Sequence, residues 1–207
     1  MELYLSSYRL GNEQKRLTEM VGKGNKIAVI GNAMDDVDDS LRKEKIQENF
    51  DELRSIGLDP CEVDLRLYFD RPKELAEKMS EFKAVYVRGG NVFILRRAFY
   101  ESGFDKWILS QKDNPNFVYS GYSAGGCVLS PNLRGMEIVD DLDASAEGYK
   151  SGIVWGGLGI INYSFVPHFE SDHPESARVG ESVEYLKKNR IPYKTLHDGE
   201  VIIDKTS

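Results

Sequence analysis

The sequence predicts an α/β fold in three layers, with a mostly parallel sheet between two layers of helices. The first observation is that apolar runs of strand length alternate with longer stretches of helical period. The second is that glycines end these elements, as Gly31 and Gly57 do in the first unit. Such regular alternation favours a parallel sheet with helices on both faces. With 207 residues, of which 41% are hydrophobic, the chain fits a single domain over 1–207.

The elements follow from the apolar pattern in chain order. A buried strand is predicted over 26–33, and an amphipathic helix over 40–57 has its apolar residues near helical spacing. Pro72 suits the first turn of the next helix. The remaining strands are predicted over 61–67, 84–90, 117–120, 161–169 and 200–204. The remaining helices are predicted over 71–82, 92–103, 124–129 and 174–189.

The stretch FVYSGYSAGGCVLS places a serine on a strand-to-helix turn. Its centre, Gly121-Tyr122-Ser123-Ala124-Gly125, matches the G-x-S-x-G pattern of a nucleophile elbow. A sharp turn forces the serine backbone into a strained region, and small neighbours avoid a clash there. Because short runs of small residues also form ordinary turns, the pentapeptide alone fits both a structural turn and a catalytic elbow.

Two further turns carry groups suited to chemistry. They are Arg88-Gly89-Gly90-Asn91 and Val166-Pro167-His168-Phe169, and each follows a predicted strand. In an open parallel sheet the ligand crevice lies beyond the carboxyl ends of the strands. We therefore expect a serine, a glycine-rich loop of N–H donors and a histidine to face one crevice.

Three histidines could serve as the base that a serine nucleophile requires. His168 directly ends an apolar strand, which fixes it at the crevice. His173 begins a His-Pro-Glu sequence that looks like the end of class I glutamine amidotransferases, although Pro174 also suits an ordinary helix entry. His197 lies in a predicted hairpin turn and is expected to be exposed. We favour His168 and keep His173 as the alternative.

Composition excludes several classes of protein. The net charge is −7 and no basic run exceeds the pair Lys187-Lys188, which argues against a nucleic acid partner. The chain has two cysteines, so a disulfide framework is not expected. No apolar run approaches the length that spans a bilayer, and the start of the chain has no leader pattern, so we expect a cytoplasmic protein without a membrane partner. No metal-ligand motif occurs, and we expect no metal or organic cofactor.

The segments VYVRGGNVF, SGYSAGG and FVPHF, in this order, resemble the peptidase E (aspartyl dipeptidase) family of serine peptidases, whose relatives include cyanophycinase. The resemblance covers residues 84–178. It implies a class I glutamine amidotransferase-like, flavodoxin-like fold, with Ser123 as the nucleophile and His168 as the base. It also implies an oxyanion hole from the N–H groups of Gly90 and Ala124, with Asn91 at the rim of the substrate site.

The acidic member of the triad is where the sequence departs from that family. The family has an aspartate before a Met-Pro-Ile-Val-like segment, whereas this chain has Gly135 there, in RGMEIVDD. Glu137, two residues later, is the predicted partner of His168, and some relatives are understood to use glutamate. Glu170, Asp140 and Asp141 remain alternatives.

The implied substrate is a short peptide cleaved near its N-terminus, with a preference for N-terminal aspartate inherited from the resemblance. An arginine fork suits a substrate carboxylate. Arg178 lies roughly where the family places a recognition arginine, and Arg88 is the second candidate. A hydrolase of another amide and a binding module without catalysis are the rival functions. An α/β-hydrolase esterase is disfavoured because only about 45 residues separate Ser123 from His168. We expect a monomer or a homodimer.

Overall fold

The structure is a computed structural model and describes residues 1–206. Within that range the chain forms eight β-strands and seven α-helices. None of these helices is both long and apolar enough to span a bilayer. The strands are β1 (Glu2–Ser6), β2 (Lys26–Ile30), β3 (Asp59–Glu62), β4 (Ala84–Val87), β5 (Val118–Tyr122), β6 (Ser164–Val166), β7 (Tyr193–Thr195) and β8 (Val201–Lys205). The helices are α1 (Gln14–Val21), α2 (Asp39–Ser55), α3 (Pro72–Met79), α4 (Val92–Ser102), α5 (Phe104–Ser110), α6 (Ala124–Cys127) and α7 (Ser176–Lys188).

Six strands form the central sheet in the order β3-β2-β4-β5-β1-β8. All neighbours are parallel except β8, which runs antiparallel to β1. One apolar core contains residues of α1 and α2, and a second contains residues of α3 to α7. Along β4 the side chains alternate between the two cores, as Val85 and Tyr86 do. The predicted three-layer α/β fold is therefore confirmed.

The sheet brings together the turns that the sequence singled out. Strands β4 and β5 are adjacent and in register, with Val87 opposite Gly121. The glycine-rich loop and the elbow follow these two strands at the same edge of the sheet. This edge is where a parallel sheet binds its ligands.

A second, two-stranded sheet pairs β6 with β7 in parallel. Val166 lies opposite Thr195, so the two strands end side by side. His168 follows the first of them by two residues, and the segment Leu196–Glu200 follows the second. The pairing therefore places two turns that are distant in sequence next to each other.

Several elements differ from the sequence prediction. The central strand β1, helices α1 and α5, and strand β7 were not predicted, and the predicted strand over 161–169 is limited to β6. The predicted strand over 61–67 ends at Glu62 and continues as a 3-10 turn over Leu65–Tyr68. Local hydrogen bonds explain this break, because Asp64 Oδ1 accepts from Arg66 N–H and Asn32 Oδ1 accepts from Leu65 N–H.

Candidate active site

Ser123 occupies a strained turn between β5 and α6. Its backbone has φ of 49° and ψ of −117°, a region that residues with a side chain rarely adopt. Gly125 allows the turn, since a Cβ there would lie 2.2 Å from the Val87 carbonyl oxygen. The side chain of Ser123 remains partly exposed while its neighbours are buried. The geometry is that of a nucleophile elbow, as the sequence predicted.

The glycine loop after β4 lies directly against the elbow. A Cβ on Gly89 would lie 2.9 Å from the Cβ of Ser123. Gly90 has φ of +140°, and a Cβ there would lie 2.3 Å from the Ala33 carbonyl oxygen, so glycine is required. Within residues 1–206 the N–H groups of Gly90 and Ala124 have no backbone acceptor. Free N–H groups beside a serine are suited to an oxyanion, and the predicted oxyanion hole of these two residues stays a prediction.

His168 lies beside Asp198. The His168 Nδ1 atom is 2.7 Å from Asp198 Oδ1, and the imidazole is only 2% exposed. Ser7 joins them, since its Oγ accepts from His168 N–H and donates to Asp198 Oδ1, both at 2.8 Å. The backbone of His168 also has a positive φ, of 60°. A carboxylate on Nδ1 orients a histidine so that Nε2 faces outward as a base.

The predicted partnership of Glu137 with His168 is wrong in this geometry. Glu137 lies in a 3-10 turn over Met136–Ile138, and its Oε2 accepts from the N–H of Gly135 at 2.6 Å. This local hydrogen bond holds the Glu137 carboxylate against the backbone two residues before it. The alternative Asp140 is also engaged elsewhere, because its Oδ2 accepts from Val92 N–H at 2.7 Å.

Asp198 was not predicted because LHDGEV was expected to form a hairpin turn. Strands β7 and β8 do not pair with each other, so the turn does not close a hairpin. The segment instead lies beside the turn that carries His168. His197 in the same segment is exposed, as predicted. The available signal was an aspartate and a glycine shortly after a short strand, but this signal becomes informative only with the parallel pairing of β6 and β7.

The surroundings of His168 favour its neutral form. Burial lowers the pKa of His168, the nearby His173 lowers it further, and Asp198 partly opposes both. The His173 ring stacks on His168 with centroids 3.7 Å apart and planes 9° apart. Tyr8 contacts both rings edge-on, with centroids 5.9 and 5.7 Å away. A neutral imidazole is the form that a general base needs.

One group of residues has the donor atoms of a metal site. Ligand atoms of His168, His173 and Glu175 lie within 4.8 Å of one another. An imidazole binds a metal through a nitrogen lone pair in the plane of its ring. Because the two rings are stacked and nearly parallel, one ion cannot lie in both planes unless a ring turns. The geometry therefore does not favour a metal centre, and the expected absence of a cofactor stays a prediction.

The two predicted substrate-binding residues lie in different parts of the fold, and their role in substrate binding stays a prediction. Asn91 caps α4, since its Oδ1 accepts from Phe93 and Ile94 N–H, and its Nδ2 donates to the Asp141 carbonyl oxygen. Arg178 is exposed on α7 and reaches the Val139 carbonyl oxygen at 3.4 Å. These contacts assign Asn91 to holding the loop and leave Arg178 on the surface.

A cavity of about 210 Å³ opens over the elbow. Ser123, His168 and Gly90 line it, together with Arg88 and Glu175. Within residues 1–206 the Ser123 hydroxyl makes no hydrogen bond. Hydrogen bonds between catalytic residues are often long or absent in enzymes without substrate. The cavity thus presents a serine, a carboxylate-bound histidine and charged side chains of both signs to one ligand.

The fold and this site together define an α/β protein with a serine elbow and a histidine–aspartate pair at the carboxyl edge of a parallel sheet. Comparison with known families agrees with that class. The profile of peptidase family S51 matches residues 5–205, so the chain belongs to this family.

Two curated relatives are 27% and 29% identical to this chain over the matched segments. An uncharacterized peptidase of Listeria monocytogenes is 27% identical over 139 residues, which cover 67% of this chain and 64% of the relative. Peptidase E of Streptomyces coelicolor is 29% identical over 145 residues, covering 66% of this chain and 54% of the relative. The matched part therefore spans less than two thirds of either relative.

Solved structures show the same fold along the whole chain. A protein assigned to peptidase E from Listeria monocytogenes EGD-e superposes with a TM-score of 0.73 at 22% identity, covering 100% of this chain and 98% of that one. A peptidase from an acI-B1 actinobacterium gives a TM-score of 0.69 at 16% identity, covering 99% and 83%. At these identities the likeness establishes the fold, in agreement with the resemblance that the motifs predicted.

Proposed function

We propose that the chain is a serine peptidase that hydrolyses short peptides through an acyl-enzyme on Ser123. The observation that carries the proposal is the 2.7 Å contact between His168 and Asp198, in a cavity that the strained Ser123 also lines. A serine hydroxyl becomes nucleophilic when a neighbouring base takes its proton. Membership of peptidase family S51 supports a peptide bond as the target.

Each residue of the cavity has a different role in the proposed reaction. Ser123 attacks the peptide carbonyl while Nε2 of His168 takes the hydroxyl proton and then gives it to the leaving amine. Asp198 keeps the proton on Nδ1 and stabilises the imidazolium that forms. The N–H groups of Gly90 and Ala124 stabilise the tetrahedral oxyanion. Water, activated by the same histidine, then releases the acyl group and restores Ser123.

The cavity also supports cleavage near a free N-terminus. The Glu175 carboxylate lines it and has no closer partner within residues 1–206 than His173 Nδ1, at 3.9 Å. A carboxylate in that position is a suitable counter-charge for the α-amino group of a short peptide. The preference for N-terminal aspartate comes from the resemblance to peptidase E and is part of this proposal. A cytoplasmic location, a single domain and a monomer or homodimer stay predictions.

Three single variants test the catalytic assignment. Ser123→Ala and His168→Ala should each lower kcat by about 10²-fold or more without loss of folding, because both groups act in the reaction. His173→Ala should keep most of the activity, since His173 has no carboxylate within hydrogen-bond distance. Turnover of a dipeptide library, scored for release of the first residue, measures this.

The outcomes separate the alternatives. Near-normal activity of Ser123→Ala would contradict the serine mechanism. Loss of activity in His173→Ala with retention in His168→Ala would move the base to the His-Pro-Glu sequence. A wild-type protein that cleaves side-chain or other amides but no dipeptide would favour a hydrolase of the cyanophycinase kind.

A further inference from the structure

Arg88 is a buried cation without an anionic partner. Its side chain is 8% exposed and forms no ion pair within residues 1–206. Nε donates to Asn49 Oδ1 at 2.9 Å and Nη1 donates to the Gly89 carbonyl oxygen at 3.0 Å. Both acceptors are neutral. Buried charges are normally paired, because an uncompensated charge loses the free energy of hydration.

The other cations at the same cavity are neutralised. Arg9 pairs with Glu48 at 2.8 Å and with Glu52 at 2.6 Å, and Lys45 pairs with Glu48 at 2.6 Å. Arg88 is therefore the lining cation whose charge is left for a ligand.

The free part of the guanidinium opens into the cavity. Nη2 of Arg88 donates to no atom of residues 1–206. It is also not among the unpartnered atoms that are buried, so it is accessible to solvent. The hydrogen bonds of Nε and Nη1 fix the plane of the guanidinium. Tyr122 lies beneath this plane, with its ring centroid 5.9 Å from Arg88 Cζ. A guanidinium fixed in this way is preorganised for a carboxylate.

The position of Arg88 couples this charge to the elbow. Arg88 immediately precedes Gly89, which contacts Ser123, and it lines the same cavity as Ser123 and His168. The side chain contacts α2, whereas Arg178 is exposed on α7 in the layer on the other face of the sheet. A substrate anion bound by Arg88 would therefore lie in a different place from one bound by Arg178.

Building on the proposed peptidase function, we propose that Arg88 is the specificity-determining residue and binds a carboxylate of the peptide substrate. An acidic side chain beside the scissile bond and the C-terminal carboxylate of a dipeptide share this chemistry. Either carboxylate would accept from Nη2 and neutralise the buried guanidinium. Peptides that lack the matching carboxylate would leave the charge uncompensated and bind poorly.

Hydrolysis of three matched peptides tests the proposal: Asp-Leu, Asn-Leu and the C-terminal amide of Asp-Leu. Arg88→Met keeps the length of the side chain and removes its charge, so kcat/KM for Asp-Leu should fall by about 10- to 100-fold. The peptide without the recognised carboxylate should be a poor substrate of the wild type, and its kcat/KM should not change in Arg88→Met. If that peptide is Asn-Leu, Arg88 binds the side-chain carboxylate. If it is the amide, Arg88 binds the C-terminal carboxylate. Arg88→Lys should recover part of the loss, and Arg178→Met should match the wild type.

Binding to an inactive protein separates this inference from the proposed function. Calorimetric titration of Asp-Leu into Ser123→Ala should show binding that weakens by about 10- to 100-fold when Arg88→Met is added. An equal effect of Arg88→Met on all three peptides, or no effect on Asp-Leu binding, would overturn the role of Arg88. Binding of Asp-Leu that weakens in Arg88→Met, together with no hydrolysis of any of the three peptides by the wild type, would count against the peptidase mechanism alone.

Discussion

Removal of the Asp198 charge is the most informative single perturbation of the site. Asp198 Oδ1 accepts two hydrogen bonds, from His168 Nδ1 at 2.7 Å and from Ser7 Oγ at 2.8 Å. In Asp198→Asn the amide oxygen can occupy the position of Oδ1 and accept from both donors. The histidine then keeps its proton on Nδ1, so the variant isolates the loss of negative charge from the loss of orientation.

The expected losses in kcat follow from this distinction between charge and orientation. A hydrogen bond to a charged group contributes about 1.5 to 3 kcal/mol, which corresponds to a loss in kcat of about 10- to 150-fold. Asp198→Ala also removes the acceptor and leaves His168 Nδ1 without a partner, so the loss should reach about 10³- to 10⁴-fold. We therefore expect alanine to be clearly worse than asparagine at this position.

Steady-state hydrolysis of a dipeptide from pH 5 to 9 provides the assay, with thermal unfolding as the check of folding. Because Asp198 raises the pKa of His168, the acid limb of kcat/KM should move to lower pH in Asp198→Asn. Glu137→Gln is the matched control and should keep wild-type kcat, since Glu137 bonds to Gly135. Wild-type kcat in Asp198→Ala, or an equally large loss in Glu137→Gln, would refute the reasoning.

Three further predictions concern pH dependence and packing. Burial and His173 lower the pKa of His168, so in the wild type the acid limb of kcat/KM should lie below the usual value of 6.5, and His173→Phe, which keeps a stacked ring, should move it upward; an unchanged limb would contradict the coupling. Burial raises the pKa of Asp140 to about 7, so native Asp140 holds its proton over a range where the unfolded chain releases it, and stability falls as pH rises from about 4 to 7. Asp140→Asn should remove that fall and stabilise the protein at pH 8 by on the order of 2 kcal/mol in urea unfolding, a gap that should close near pH 4. Gly125→Ala should displace the elbow, because its Cβ would lie 2.2 Å from the Val87 carbonyl oxygen, and should lose activity even where the protein still folds; wild-type activity would show that the turn adapts.

The elbow and the glycine loop could be predicted from sequence because each is a local pattern. Ser123 and Gly90 follow strands that are buried along their whole length, and parallel strands end at one edge whatever their order in the sheet. His168 was identified for the same reason, as the residue after a short apolar strand. Local chemistry of this kind needs no knowledge of which strands are neighbours.

Asp198 could not be predicted in this way because its position depends on a pairing of distant segments. The register of β6 and β7 brings it to His168 across 30 residues, and β7 is only three residues long with no fully buried position. Glu137 was favoured instead because it lies two residues after Gly135, the position where the family that the sequence resembles has its aspartate. Arg178 is exposed on α7, and its predicted role in substrate binding stays a prediction.

The proposed mechanism requires Ser123 to be a nucleophile that His168 and Asp198 activate. Incubation of the wild type with a serine-directed phosphonate, followed by intact mass and peptide mapping, examines this requirement. We predict one covalent adduct, on Ser123, that is absent in Ser123→Ala and forms at least about 10²-fold more slowly in His168→Ala. An adduct on another residue, or peptidase activity that persists without any labelling of Ser123, would contradict the claim.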